Sequence, residues 1–264
     1  MMKYTPENVT VQQTRQLTPS YYSITFGPIS RAAECRPGQF VHVRLPGSEV
    51  YFRRAMSIAS VDTEQKTLEI IFKIFGRGTR CLSRFKAGDC LDILGPLGNQ
   101  WSRPDDDETM LIIAGGVGFP PLLYFASEMV RQGRDAGTIE FFYGGRIAEE
   151  ILERDRITNL GVNFHPVTDD GSFGESGLVT QAAGKYIMDH PDKKMRIYSC
   201  GPGPMLKATD DLGMKHGVPG EVSLEAPMPC GYGVCLGCVV PLREGGHARV
   251  CQEGPVFNIG EVLL

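Results

Sequence analysis

The sequence predicts an antiparallel β-barrel domain, then an α/β domain on a parallel sheet, and last a small Cys-rich C-terminal module. Three observations carry that expectation. Over roughly the first hundred residues, short β-type runs are broken by Gly and Pro. Beyond residue 109, apolar strand-like runs alternate with helix-like segments, and four of the eight cysteines fall in the last 35 residues. A chain of 264 residues suits two domains, or one large one, with ample length to bury a core. Glycine is abundant, 32 of 264 residues, yet no Gly-X-Y period runs through the chain and 42% of residues are hydrophobic, which excludes collagen-like and disordered classes. With 27 Lys and Arg against 31 Asp and Glu, the formal net charge of −4 gives no general reason to expect a nucleic acid or an acidic membrane surface. The expected partner is a small molecule or another protein.

The barrel is read from Val9 to about Gly98. Its clearest runs are Tyr21 to Phe26 before Gly27-Pro28, Gln39 to Leu45 before Pro46-Gly47, and Thr67 to Ile74. Runs of that length closed by turn residues suit a small antiparallel barrel. One helix-like segment, roughly Thr79 to Phe85, interrupts it. The polar stretch Ser102 to Glu108 reads as a linker and places the domain boundary there. Beyond it, strands are expected at Met110–Ala114, Thr138–Tyr143, Val162–Val167, Met195–Cys200 and Glu221–Leu224. Helices are expected near Pro121–Arg131, Ala148–Arg154, Leu178–Asp189 and Pro204–Lys215. That alternation is βαβ texture and implies a parallel sheet covered on both faces. After Ala226 regular patterning ends. The expected division is therefore 1–100, 101–226 and 227–264.

Met110 to Ser127 carries no charge over eighteen residues, but Gly115, Gly116, Gly118, Pro120 and Pro121 would break a helix in mid-bilayer, so strand, turn and helix are expected and no membrane span. The N-terminal stretch Met1 to Asn8 has no apolar h-region. The expected location is the cytoplasm, where thiols stay reduced.

The cysteine spacing is Cys230-x4-Cys235-x2-Cys238-x12-Cys251, with Gly231, Gly233 and Gly237 interleaved. A two-iron cluster needs four thiolates and a loop that wraps it closely, which favours residues without a Cβ. C-x4-C-x2-C…C is the plant-type [2Fe–2S] arrangement, although the fourth ligand here follows sooner than in plant ferredoxins. A structural zinc also fits Cys235-x2-Cys238, with His247 a spare candidate ligand.

Three further signals concern nucleotides. Arg53-Arg54-Ala55-Met56-Ser57 puts a cation and a short hydroxyl side chain on one β run; a flavin needs a cation for its pyrophosphate and a donor near its reactive ring nitrogen. The plain alternative is a solvated strand face. Gly76-Arg77-Gly78-Thr79 opens the barrel helix, where a Gly turn and unsatisfied N–H groups suit a phosphate; the alternative is an ordinary Gly turn with Thr79 as N-cap. Ala114-Gly115-Gly116-Val117-Gly118 and Cys200-Gly201-Pro202-Gly203 both follow strands of the parallel sheet, where such folds bind nucleotides. Packing turns, and a plain buried thiol at Cys200, remain open there.

In this order the motifs resemble the ferredoxin–NADP reductase superfamily, and more closely the electron-transfer subunit of type B dihydroorotate dehydrogenase. The likeness covers nearly the whole chain and is most specific at Pro229 to Cys238 and Arg249 to Phe257. It implies an FAD-binding barrel, an NAD-binding α/β domain and a C-terminal [2Fe–2S] module. In that family the subunit docks on an FMN-containing dihydroorotate dehydrogenase catalytic subunit, as a heterotetramer of two plus two. Electrons then pass through the cluster and FAD to NAD⁺, in pyrimidine biosynthesis. Carried over by motif, Arg54, Ala55, Met56 and Ser57 would hold the FAD, with Phe72, Lys73 and Ile74 lining it and Gly78 and Thr79 at its pyrophosphate. Gly115, Gly116, Gly118 and Gly201 would meet NAD, and Cys200 would be the catalytic thiol near the nicotinamide. Cys230, Cys235, Cys238 and Cys251 would ligate the cluster. The family usually has Pro where this chain has Ala55; Pro supplies rigidity and no donor, so backbone contacts can survive the change. Two other readings stand beside this one: the same relay serving a hydrogenase or a bifurcating transhydrogenase, and a zinc-stapled, non-catalytic interaction module. Cys35, Cys81 and Cys90 have no expected role.

Overall fold

The computed structural model describes residues 5–264; Met1 to Tyr4, half of the N-terminal stretch read for a leader, lie outside the described residues. Six antiparallel strands come first: β1 (Glu7–Thr18), β2 (Tyr21–Gly27), β3 (Phe40–Arg44), β4 (Arg54–Asp62), β5 (Thr67–Lys73) and β6 (Cys90–Leu97). They close into a barrel in the order β1-β2-β5-β4-β3-β6. Closure leaves no unpaired edge. Inward β-branched and aromatic side chains such as Val11, Ile24, Phe26, Val43, Ile58 and Ile70 fill it. Between β5 and β6 lies the helix α1 (Arg77–Leu82), which buries Leu82 against that core. Thr79 is the third helical residue, not the N-cap. Gly76 holds that position, and the Thr79 hydroxyl accepts the N–H groups of Phe75 and Gly76.

The second half runs β7 (Thr109–Gly115), α2 (Phe119–Arg131), β8 (Ile139–Gly145), α3 (Arg154–Thr158), β9 (Asn163–Thr168), β10 (Glu175–Ser176), α4 (Val179–Asp189), β11 (Met195–Cys200), α5 (Gly203–His216) and β12 (Gly220–Ser223). Its strands pair in parallel in the order β10-β9-β8-β7-β11-β12. The order reverses beside β7, so the ends of β7 and β11 form the switch point at which such sheets accept ligands. Pro120 and Pro121 fall in the first turn of α2, where a missing N–H costs nothing. The same helix joins the halves: Leu122 and Phe125 share one core with Tyr21, Ala59 and Ile71 of the barrel, and Tyr124 enters the barrel core itself.

Two expectations are corrected here and a third, the linker, is filled in. The helix expected over Ala148–Arg154 is a 3-10 turn, Ala148–Glu150, followed by α3. Glu153 between them takes a left-handed φ of 50°, and the Arg154 guanidinium donates to the carbonyls of Ile151 and Ala148, closing a turn instead of a helix. The polar stretch Ser102 to Glu108, expected as a linker, is bound to the second half of the chain. The Ser102 N–H donates to Glu221, Tyr198 donates to the Ser102 carbonyl, and Glu108 pairs with Arg196 at 2.8 Å. Finally, strands continue past Ala226: β13 (Val239–Pro241) pairs with β14 (His247–Arg249), and β15 (Val256–Asn258) adds to the large sheet antiparallel to β12.

Candidate functional site

A cavity of about 540 Å³ opens where the outer wall of β4 and β5 meets the ends of β11 and β12 and the segment that leads into the Cys-rich loop. It gathers residues far apart in the chain: Arg54, Ala55, Met56, Ser57, Phe72, Lys73 and Thr79 from the barrel side, Val117 and Cys200 from the sheet, and Ser223 through Pro229. Ile74 is not among its lining residues; its N–H is held by the Ser20 carbonyl.

The two arginines of β4 differ sharply. Arg53 Nη2 donates to both carboxylate oxygens of Asp92 at 2.8 Å and its Nη1 donates to the Asp92 carbonyl at 3.0 Å, an arrangement that binds the barrel wall together. Arg54 makes no ion pair among the described residues and lies across Gly78, where an added Cβ would stand 2.2 Å from its Nε. A partially exposed guanidinium over a Gly backbone, without an acid of its own, is suited to an anionic ligand such as a pyrophosphate. Lys73 is the reverse case: its ammonium pairs with Glu150 at 3.1 Å and sits 5.0 Å from the Tyr21 ring centroid, so it ties the barrel to the α/β half. The hydrogen bond from Arg146, helped by Lys73, pulls the Glu150 carboxyl down to about 2. A larger opening, about 810 Å³, lies along the same seam near Ala148 to Arg156. Four of its charged side chains are paired with one another, Glu69 with Arg156 at 2.9 Å and Arg15 with Glu153 at 3.2 Å.

On the sheet side Cys200 is 4% exposed. Burial, with Glu225 nearby, pushes its thiol up to about 12, so it is neutral at physiological pH. Burial also raises the carboxyl of Glu225. The glycine turns split into two kinds. Gly118 lets the turn after β7 lie on the end of β11, since a Cβ there would fall 2.2 Å from the Cys200 carbonyl oxygen; Gly115 and Gly201 similarly make room for Met205. Gly116 (φ 50°) and Gly203 face open space, leaving backbone that a ligand can approach.

The Cys-rich loop needs its glycines for conformation. Gly231 and Gly233 are left-handed (φ 73° and 74°), as is Leu236 at 56°. Among the described residues no three His, Cys, Asp or Glu side chains converge on a single-ion site. Cys230 interacts with Cys235, and Cys251 with both Cys238 and Cys230, so the four thiols of the loop neighbour one another. Four thiols in one loop match the donor set of a two-iron centre. Backbone N–H groups already point at sulfur, from Tyr232 to Cys230 at 3.3 Å and from Gly237 to Cys235 at 3.4 Å. Burial alone would raise the Cys230 thiol, but the N–H groups of Cys235, Tyr232 and Val234 outweigh it and bring it down to about 7. Burial and the neighbouring Cys238 push Cys251 up to about 12. His247, the spare zinc candidate, is exposed on β14.

Several residues that position the site carry no motif. Asn99 locks the barrel to the loop: its Nδ2 donates to the Glu253 and Val256 carbonyls at 3.0 and 2.7 Å, and its Oδ1 accepts the Val256 N–H at 3.0 Å. His42, fully buried on β3, presses against Gly231; burial and the nearby Arg53 and Arg54 push it down to about 4, so the ring is neutral. Glu225 had a legible signal, since it follows the carboxyl end of a parallel strand. Asn99 and His42 had none.

A closed barrel, a parallel sheet with its switch point facing that barrel, and a thiol loop at their junction define a reductase of the flavin- and nicotinamide-linked class. Family profiles agree in chain order: an oxidoreductase FAD-binding domain over residues 8–101, an oxidoreductase NAD-binding domain over 112–211, and the iron–sulfur cluster binding domain of dihydroorotate dehydrogenase B over 225–263. The chain is 35% identical to the dihydroorotate dehydrogenase B (NAD(+)) electron transfer subunit of Streptococcus mutans, covering 98% of each chain. It is likewise 35% identical to that of Enterococcus faecalis, covering 100% of each. The chain belongs to this family of electron-transfer subunits. Among solved structures it matches one of an NADH-dependent reduced ferredoxin-NADP oxidoreductase, at 28% identity and a TM-score of 0.85 over 96% of this chain and 89% of that one. A ferredoxin NADP⁺ reductase from Neisseria gonorrhoeae, solved with FAD and NADP, shares the fold at 20% identity and a TM-score of 0.69, covering 82% of this chain and 93% of that one.

Proposed function

We propose that this chain carries electrons between an FMN-containing dihydroorotate dehydrogenase subunit and NAD⁺, through a [2Fe–2S] cluster and FAD. The net reaction is dihydroorotate + NAD⁺ → orotate + NADH + H⁺, a step of pyrimidine biosynthesis. The observation that carries this reading is the single cavity on which the Arg54–Ser57 wall, Cys200 with Glu225, and the entry to the Cys-rich loop converge. When bound there, the flavin supplies the exchange between single electrons and a two-electron hydride.

The chain's own residues divide the work. Arg54, with Gly78 beneath it and Thr79 beside the cavity, holds the flavin pyrophosphate; Ser57 offers its hydroxyl on the same wall, among Ala55, Met56 and Phe72. Gly116 and Gly203 give NAD a backbone to approach, and Gly115, Gly118 and Gly201 keep the two turns together. Cys200, held neutral, flanks the nicotinamide as a thiol and not as a nucleophile. Cys230, Cys235, Cys238 and Cys251 take the cluster. Residues 1–100, 101–226 and 227–264 serve FAD, NAD and cluster in turn, β15 tying the last to the second. The partner assembly is two plus two. Every cysteine is free of disulfide, which suits action in the cytoplasm; no helix of the described residues is long and apolar enough to cross a membrane.

Purified aerobically, the chain should be yellow-brown, with about two irons and one FAD per chain. With the FMN subunit present, dihydroorotate should reduce NAD⁺. Colourless protein holding zinc overturns the reading. The match to the ferredoxin-NADP oxidoreductase supports a second one, the same relay serving another oxidoreductase. Loaded protein that oxidises NADH with an artificial acceptor, but gains no dihydroorotate-dependent activity from the FMN subunit, would select that alternative.

A further inference from the structure

His42 is a buried polar side chain for which the relay just described has no use. Its ring is 0% exposed, and neither ring nitrogen has a hydrogen-bond partner among the described residues. Leaving a buried imidazole N–H unpaired costs about 1–3 kcal/mol, and an apolar ring would fill the same space without that cost. The position therefore points to a partner that is not a protein side chain.

The surroundings say where that partner lies. His42 is opposite Ala55 in the β3–β4 ladder, on the same face as Phe40, whose ring is 5.7 Å away centroid to centroid. Phe40 in turn packs in the core that holds Cys238 and Cys251. The Nδ1–Cε1 edge of the ring faces the Cys-rich loop directly: a Cβ added to Gly231 would stand 2.7 Å from Nδ1 and 2.9 Å from Cε1. Gly231 follows Cys230, so a glycine is required there by the imidazole as well as by its φ of 73°. The ring thus stands between the flavin wall and the first corner of the cluster site.

We propose that His42 is a positioning residue for the cluster, donating its Nδ1–H to an inorganic sulfide of the cluster on the Cys230 side and thereby favouring the reduced, more negative state. This rests on the cluster reading above. A hydrogen bond to a charged acceptor is worth more than a neutral one, and it strengthens as negative charge accumulates on sulfur.

The test uses the intact, cofactor-loaded protein, with His42→Phe removing the donor and His42→Gln returning one. In an EPR-monitored redox titration the Phe variant should show its reduction equilibrium shifted about tenfold toward the oxidised cluster, or ~59 mV for one electron. The Gln variant should recover most of that shift. In wild-type protein labelled with ¹⁵N-histidine, pulsed EPR of the reduced cluster should show a weakly coupled nitrogen and an exchangeable proton that D₂O removes. Reduction equilibria within twofold of each other, or a wild-type spectrum lacking both couplings, would show that the ring only fills space or binds water, and would overturn the proposal. If His42→Phe does not retain iron, the wild-type spectrum decides alone. Wild-type protein without iron would instead defeat the cluster reading itself.

Discussion

Asn99→Ala tests whether the cluster loop is mounted on the barrel by one side chain. The wild-type amide makes three hydrogen bonds, two to carbonyls of Glu253 and Val256 and one from the Val256 N–H. At roughly 0.5–1.5 kcal/mol each, their loss costs about 1.5–4.5 kcal/mol. Val256 is 4% exposed, so its freed groups gain little from water and the cost falls near ~3 kcal/mol. With a urea slope of about 3 kcal/mol/M, the transition that releases the cluster should move down by about 1 M. Visible absorbance follows that release in the loaded protein. Asn99→Asp is the sharper control: it keeps an acceptor for the Val256 N–H but turns an oxygen toward two carbonyls, so it should be no more stable than Ala. An unchanged midpoint in Asn99→Ala, or wild-type behaviour in Asn99→Asp, would refute the mounting role of this side chain and leave the attachment to the β12–β15 pairing, the backbone bond from the Asn99 N–H to the Gly254 carbonyl and the Arg243–Asp210 pair.

Gly118→Ala should destabilise the protein by about 2–3 kcal/mol in thermal melts, because its Cβ would meet the backbone of Cys200 at 2.2 Å. Gly203→Ala, which opens onto free space, should melt with the wild type. Glu150→Gln should cost about 2 kcal/mol at neutral pH by breaking the Arg146 and Lys73 pairs. Since the folded carboxyl sits at about 2, below its ordinary value, the contribution is complete above about pH 4.5 and fades as pH falls toward 2. Near-UV circular dichroism should show the gap between variant and wild type constant from pH 8 to 6 and closing below pH 4.5. With its thiol at about 12, Cys200 should alkylate about a thousandfold more slowly at pH 8 than a thiol of pKa near 9; mass spectrometry of iodoacetamide-treated folded protein measures this. Rapid labelling of Cys200 would refute its burial.

Much of the fold was legible because its signals are periodic. The strand Met195–Cys200 is where the apolar run placed it, and β7, β8, β9 and β12 lie within a residue or two of expectation. The segment Ala148–Arg154 misled, since its composition suits a helix, whereas the Arg154 guanidinium and the left-handed Glu153 close a turn. For Ser102 to Glu108 polar composition suggested a linker but not its anchoring: Glu108 and Ser102 are bound to Arg196, Tyr198 and Glu221, partners about a hundred residues away.

By itself the sequence determined the strand and helix periods, the order of the nucleotide turns, and the cysteine spacing with its interleaved glycines. Each of these is written over a few consecutive residues, the range over which backbone sterics and loop geometry act. Only the tertiary structure decided which of two adjacent arginines lacks an acid partner among the described residues, because Arg53 is claimed by Asp92 on another strand while Arg54 lies over Gly78. It also decided that Lys73 serves the seam through Glu150, that Asn99 carries the cluster loop, and that His42 faces Gly231. These pairings join residues tens to hundreds of positions apart. No local propensity encodes them; they exist once the barrel has closed and the sheet and loop have packed against it.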